Sequence, residues 1–204
     1  MFNLEGKFFS ALSRVGDLVI LNILFWLCCI PVVTIGASIT AMYSVTKKMA
    51  EDREGYILKG FLTAFKENFK QSTIMWLILL VPAVVISVDM YISNYLQPEE
   101  FQTFFKGFML LAWMILIFVI IFAFTLQSTF ENTVKNTLKN ALLISLAHTP
   151  WSLLMTFLAL SPFIAMLYFG EYLGTELLVV FLIWFSGTAY INSFILNKIF
   201  KKYM

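Results

Sequence analysis

Charge is scarce in this chain. Only 13% of its 204 residues are Asp, Glu, Lys or Arg, where soluble domains carry roughly a quarter. With 60% hydrophobic residues and a mean hydropathy of +0.85, too little polar side chain remains to coat a water-facing surface. Histidine is scarcer still, since His148 stands alone. A carotenoid-type oxygenase or a di-iron enzyme needs several His ligands, or Glu clustered with His, so that chemistry is excluded. Cys28 and Cys29 are the only cysteines. They are adjacent inside an apolar run, whereas metal and thioredoxin-like sites need a spacing such as Cys-x-x-Cys; they read as small hydrophobes. A net charge of +2 without a charge-dense groove gives a nucleic acid backbone nothing to follow. No Gly-x-x-x-x-Gly-Lys-[Ser/Thr] loop and no Gly-x-Ser-x-Gly elbow occurs, so nucleotide hydrolysis would have to come from a partner. No catalytic, metal or cofactor site is expected.

What the chain has instead is long uncharged runs. Five windows carry no Asp, Glu, Lys or Arg: Leu18–Thr46, Gln71–Val88, Gly107–Phe130, Asn140–Gly170 and Leu177–Asn197. A helix needs roughly 20 apolar residues to cross the hydrocarbon. The expected fold is therefore all-α, a polytopic membrane helix bundle of five to six membrane segments forming one integral membrane domain over residues 1–204. Residues 2–17 read as an amphipathic helix at the headgroups. They hold Glu5, Lys7, Arg14 and Asp17, and the window behind them is too long for a signal-peptide core, so this first segment is expected to be retained.

The first window has a defect in its middle. Pro31-Val-Val-Thr-Ile-Gly36 interrupts the helix, because proline lacks an N–H and clashes with the preceding turn. Either the chain crosses once through Leu18–Thr46, or it turns at Pro31–Gly36 and comes back. The turn is favoured, because it leaves Lys7 and Arg14 on the same side as every other basic cluster. Thr34 and Ser38 are candidate caps for the helix that follows, and Gly36, Ala37, Thr40 and Ala41 would let it pack closely.

Two further stretches look like interfacial amphipathic helices on the cytoplasmic side. In "FLTAFKENFK", Phe61, Phe65 and Phe69 recur at i, i+4, i+8, with Lys66, Glu67 and Lys70 on the other side. In "FENTVKNTLKN", Glu131, Lys135 and Lys139 recur every four residues, and so do Asn132, Asn136 and Asn140. Thr149 and Pro150 restart a helix after His148, and Pro82 and Pro162 are interior bends. Basic residues gather in Lys47–Lys70, in the Glu131–Lys139 linker and at Lys198, Lys201 and Lys202. The Ser93–Phe101 link and the Gly170–Glu176 turn have none. The positive-inside rule then puts the C-terminus in the cytoplasm.

The pair "PVVTIGAS…TAMYSV" at Pro31–Val45 and "FLTAFKENFKQS" at Phe61–Ser72 resembles the YesL family of bacterial integral membrane proteins, which are of about this length. The likeness extends over nearly the whole chain. It implies a multi-pass protein of the bacterial cell membrane, working beside a binding-protein-dependent sugar transporter. Some members carry oxygenase-type labels, which the single histidine does not fit. The expected function is an accessory or structural subunit of an ABC-type carbohydrate transporter, without catalysis of its own. The alternative is a small homo-oligomeric solute transporter or channel.

Two residue sets follow. Thr34, Gly36, Thr40, Tyr43, Tyr190 and Asn192, together with Ser186, are polar or small positions in apolar segments. They could hydrogen-bond between helices or line a cavity for a sugar, whose hydroxyls want such partners. Phe61, Phe65, Lys66, Phe69, Lys70, Lys135 and Lys139 are candidates for docking partner proteins, either permease and ATPase subunits or a second copy. The remaining partner is the lipid bilayer. Asp89 is the nearest thing to an intramembrane acid and is expected near the outer surface.

Overall fold

A computed structural model describes residues 4–53, 55–96, 99–168 and 180–203. Among these the chain is helical throughout, with no strand. Seven α-helices follow in order: α1 (Leu4–Cys29), α2 (Ile35–Ala50), α3 (Ile57–Leu96), α4 (Glu99–Gln127), α5 (Val134–Ala147), α6 (Thr149–Tyr168) and α7 (Phe185–Phe200). A 3-10 turn, Val32–Thr34, joins α1 to α2, and a π segment, Val180–Trp184, leads into α7.

The expected headgroup helix over residues 2–17 is not a separate element. It runs without interruption into the apolar stretch as one 26-residue helix. Nothing between Asp17 and Leu18 could break it. The same holds for "FLTAFKENFK", which is the opening of the 40-residue α3 rather than an independent interfacial helix. Lys70 and Gln71 are good helix formers, so the charged and apolar parts join without a cap or a turn. Pro82 lies within that continuous helix. The Ser93–Phe101 link is also shorter than expected, because α3 extends to Leu96 and α4 begins at Glu99. The second amphipathic stretch does form its own helix, α5. Thr133 caps it by accepting from the Asn136 N–H at 3.4 Å, and at His148 the axis bends by 101° into α6.

Among the described residues three helices are long and apolar enough to cross a membrane, through Leu12–Cys29, Ile57–Ser93 and Gln102–Gln127. The bent pair α5–α6 makes a fourth if it counts as one span. Of the expected five to six segments, three to four are supported by length and composition among the described residues. At 16 residues α2 is short for a crossing, whereas α7 continues the π segment without a gap over 180–200. The Gly170–Glu176 turn and the start of the last segment, Leu177–Val179, lie outside the described residues.

The core sits where α2 packs along α3, α4 and α7. Leu21, Met49, Phe61, Phe122, Phe124, Leu196 and Phe200 are wholly buried there. Outward faces are apolar instead of charged. Ile74, Leu77, Ile78, Val81, Val84, Val85 and Val88 are all exposed along α3. In water this surface would be a large cost; against acyl chains it is not.

The chain reverses at Pro31–Gly36. Arg14 of α1 is ion-paired with Asp52, just beyond α2. Each helix runs about 24 Å between the break and that pair, so only an antiparallel hairpin can bring the two together. At its tip Ile30, Val32 and Val33 are exposed, an apolar turn without charge.

Candidate functional site

The break is built from its own residues. Pro31 ends α1 and is extended, with φ −76° and ψ 118°. Thr34 stands at the cap position of α2 but makes no capping bond. Its hydroxyl turns back to the carbonyls of Cys28 and Pro31, satisfying acceptors that the end of α1 leaves open. Two positions on, Gly36 meets α3 at van der Waals contact. A Cβ there would fall 2.5 Å from the Ser72 carbonyl oxygen, 2.7 Å from Trp76 Cβ and 2.9 Å from Phe124 Cε1. Gly36 therefore sits at a crossing point packed against α3 and Phe124.

From that crossing the polar groups of α2 run down a seam of interhelical hydrogen bonds. Thr40 Oγ1 lies 2.8 Å from Ser72 Oγ and 3.0 Å from the Gly36 carbonyl. Asn192 Nδ2 donates to the Tyr43 hydroxyl at 3.5 Å, while Asn192 Oδ1 is buried with no partner. Thr46 Oγ1 lies 2.9 Å from Ser193 Oγ. Between α1 and α7, Asn22 Oδ1 accepts the Ser186 N–H at 2.9 Å, and Ser186 Oγ donates to the Leu18 carbonyl at 2.7 Å. Ser186 follows the π segment, whose wider turn changes the local pairing of backbone groups; Asn22 meets one of them. Tyr190 accepts from Arg14 Nη1 at 3.0 Å.

Thr34, Thr40, Tyr43 and Tyr190 thus make hydrogen bonds within the protein, Asn192 does so through Nδ2 alone, and Gly36 serves as packing. The clefts open elsewhere. Arg14–Asp52, Lys47–Thr129, Gln71–Gln127 and His148–Tyr203 contacts gather the near parts of α1 and α3, the ends of α2, α4 and α7, and the start of α6 at one end of the molecule. Most of the basic residues belong to this end, which we call the basic end. One cleft there, of about 500 Å³, lies between α2 and α3 and is lined by Lys48, Arg53, Lys59 and Glu67 above Val45, Met49 and Ala64. Another, of about 880 Å³, lies among α3, the α4–α5 loop and α5, and most of its lining residues are polar. Neither reaches Thr34, Gly36, Thr40, Tyr43, Tyr190 or Asn192.

Lys47 marks the inner wall of this end. It is 8% exposed, its ammonium donates to Thr129 Oγ1, and its Nζ stands 5.1 Å from the centre of the Phe200 ring. Burial, and secondarily the charge of Arg53, push its pKa down to about 8. No carboxylate pairs with it among the ion pairs of the described residues. Sequence reading placed Lys47 in a charged surface block, because a single lysine in a run of charges gives no sign that a helix neighbour will cover it.

The docking candidates separate by exposure. Phe61 is wholly buried and offers no surface; it stacks on Phe65 with centroids 6.2 Å apart. Phe65 is half-buried, whereas Lys66, Phe69, Lys70, Lys135 and Lys139 are exposed. Asp89 is exposed too, far along α3 from the basic end. His148 Nε2 lies 3.1 Å from the Tyr203 hydroxyl, so the lone histidine ties the α5–α6 bend to the C-terminal turn. Among the described residues no three His, Cys, Asp or Glu side chains stand close enough to hold a metal.

Comparison with known proteins bears on the first part of the chain. No curated protein and no solved structure matches it. The model of a family described as "Protein of unknown function, DUF624" matches residues 18–90. That span contains the hairpin turn, the Gly36–Ser72 crossing and most of α3, and with them both motifs singled out in the sequence. The similarity to that family ends at residue 90, short of α4 to α7.

Proposed function

We propose that the protein is an accessory subunit of a bacterial ABC-type carbohydrate importer, held in the cell membrane with its C-terminus in the cytoplasm and without catalysis of its own. The observation that carries this reading is the grouping of free basic and aromatic side chains at one end. Lys66, Phe69 and Lys70 on α3 are exposed, and so are Lys135 and Lys139 on α5. Exposed lysines beside an exposed phenylalanine suit an acidic, partly apolar protein surface, such as a permease loop or an ATPase subunit. Thr40, Tyr43 and Thr46 of α2 bond to Ser72, Asn192 and Ser193 of the neighbouring helices, which suits a scaffold better than a conduit. The sugar-transport association comes from the resemblance at Pro31–Val45 and Phe61–Ser72.

Gentle purification from the native membrane tests it. Stoichiometric permease and ATPase subunits, lost when Lys66, Phe69 and Lys70 are changed to Ala, are the expected result. Recovery of this chain by itself, under conditions that preserve known transporter complexes, overturns it.

A second reading is a homo-oligomeric transporter or channel, favoured by one observation. Only 11% of the apolar window of α3 is buried within the chain, which leaves a long face for another copy. Solute flux in liposomes holding this protein and nothing else separates the two.

A further inference from the structure

A smaller cleft at the basic end, of about 200 Å³, opens between the start of α6 and the end of α7. Its lining includes His148, Lys198 and Lys202 beside Trp151, Phe194 and Ile195, and no Asp or Glu. Lys198 is in the last turn of α7 and Lys202 follows four positions on. Like charges at that spacing repel, and among the ion pairs of the described residues no carboxylate pairs with either. Glu51 shares a neighbouring cleft with Lys198, but its carboxylate is ion-paired with Arg53. The carbonyls that close α7 are covered, those of Asn197, Ile199 and Phe200 accepting from the N–H groups of Lys201, Lys202 and Tyr203. On the opposite wall α6 begins, and its first turn holds no acid to offset the positive end of the helix dipole. Cations of α7 and the positive end of α6 thus meet at one cleft that has no anion of its own.

Its depth and size say which anion fits. The chain bends by 101° between α5 and α6. A helix that exposes Lys135 and Lys139 turns there into one that exposes Leu153, Leu154, Phe157 and Phe163. Trp151, exposed in the first turn of α6, marks the headgroup level, where indole rings collect, and long lysine side chains at the end of α7 reach the same level. One turn deeper, Leu154 of α6 and Ile191 of α7 are exposed as well, so the cleft runs on into a surface that suits hydrocarbon. At about 200 Å³ it is smaller than sites for whole soluble ligands, which run to about 300–1,000 Å³. It has room for a phosphodiester and leaves the rest of the molecule outside. We infer that this cleft seats the headgroup phosphate of an anionic phospholipid. The phosphate oxygens accept from Lys198, Lys202 and a ring N–H of His148, and an acyl chain lies over Trp151, Leu154, Phe194 and Ile191. A lipid so held bridges α6 and α7, whereas scattered surface lysines draw anionic lipids without choosing a place. The inference uses no partner subunit, so loss of copurification leaves it intact.

Native mass spectrometry of the full-length protein in neutral detergent tests it. The probes are phosphatidylglycerol and phosphatidylcholine with identical acyl chains, and glycerol 3-phosphate as a soluble competitor. Saturable retention of phosphatidylglycerol ahead of phosphatidylcholine is expected, undisturbed by glycerol 3-phosphate at the same concentration. The double variant Lys198→Gln/Lys202→Gln should weaken that retention about tenfold or more. Lys66→Gln/Lys70→Gln is the matched control, since it removes an exposed lysine pair of the same spacing at the same end. It should change retention by about threefold or less, as screened charges elsewhere on the surface do. All four lysines are exposed, so the fold survives, and melting in lipid-free detergent checks that it does. Equal retention of the two lipids by the parent overturns the inference without recourse to any variant. So does equal weakening by the two lysine pairs, which marks a diffuse attraction, and so does displacement by glycerol 3-phosphate, which marks a site for a soluble anion.

Discussion

Arg14 and Asp52 are joined across a hairpin whose two arms together span most of the first quarter of the chain. Arg14 also donates to the Tyr190 hydroxyl at 3.0 Å, so one guanidinium ties α1 to the α2–α3 turn and to α7. Asp52 has φ 52°, a left-handed conformation that Asp tolerates better than most residues. The turn thus presents its carboxylate at a backbone position few side chains would accept.

The pairing predicts a cross-link. With Cys28 and Cys29 replaced by Ser, an Arg14→Cys/Asp52→Cys double variant should be joined within one chain by a short bis-maleimide in native membranes. A chain crossing once through Leu18–Thr46 would hold the two sites on opposite faces and give no intramolecular product. The ion pair itself contributes little to stability, on the order of 0.2–1 kcal/mol, since both partners are partly exposed.

Gly36 should be intolerant of even one methyl group. Gly36→Ala forces α2 away from the Ser72 carbonyl, Trp76 and Phe124, and overpacking of this kind costs about 1–3 kcal/mol. Gly187→Ala is the control: nothing lies within 4 Å of its Cβ position, and it should be neutral or slightly stabilising. Melting curves read by fluorescence-detected gel filtration compare the two. Equal melting of Gly36→Ala and the parent would mean that the crossing is looser than described.

How much of this was legible beforehand depends on where each signal resides. The break at Pro31–Gly36 was legible because proline acts locally. The join at Lys70–Gln71 was not, because a change of polarity along a helix is not a stop signal; α3 simply continues through it. Thr34 and Thr40 stand out in the sequence as polar groups in apolar surroundings. Thr34 turns back to the nearby Cys28 and Pro31 carbonyls, but whether Thr40 faces a cavity or a neighbouring hydroxyl depends on Ser72, thirty-two positions away, and no local pattern carries that. The Asn132–Asn136 spacing was visible as a stripe, but its convergence with Asn68, Gln71 and Gln127 on one polar cleft required the α3–α4 pairing.

Asn22 and Ser186 give a graded test of the α1–α7 seam. Ser186→Ala removes one buried donor, at about 0.5–1.5 kcal/mol. Asn22→Leu leaves the Ser186 N–H buried without its acceptor, at about 1–3 kcal/mol, and should therefore melt lower. The reverse order would assign the seam to the hydroxyl and not to the amide.

Lys47 makes stability depend on alkaline pH. Its pKa falls from 10.5 in the unfolded chain to about 8 in the fold. Between those values the unfolded chain binds more protons, so stability rises as pH increases from about 8 to about 10.5. Below pH 8 the ammonium is charged in both states, and its burial is a constant cost. Thermal melts across that range should show the rise in the parent and lack it in Lys47→Met. A flat profile in the parent would mean that the Thr129 and Phe200 contacts fully compensate the buried charge.

The continuity of α3 has a mechanical side. One unbroken helix begins at the clefts of the basic end, bears on Gly36 at Ser72, and carries on to Leu96. It is a lever with a fulcrum, and the arm beyond Ser72 is longer than the arm before it. A load applied at Lys66 or Lys70 would therefore bear on the Ser72 crossing and on the longer arm toward Asp89, along a helix about 60 Å in length that contains Pro82.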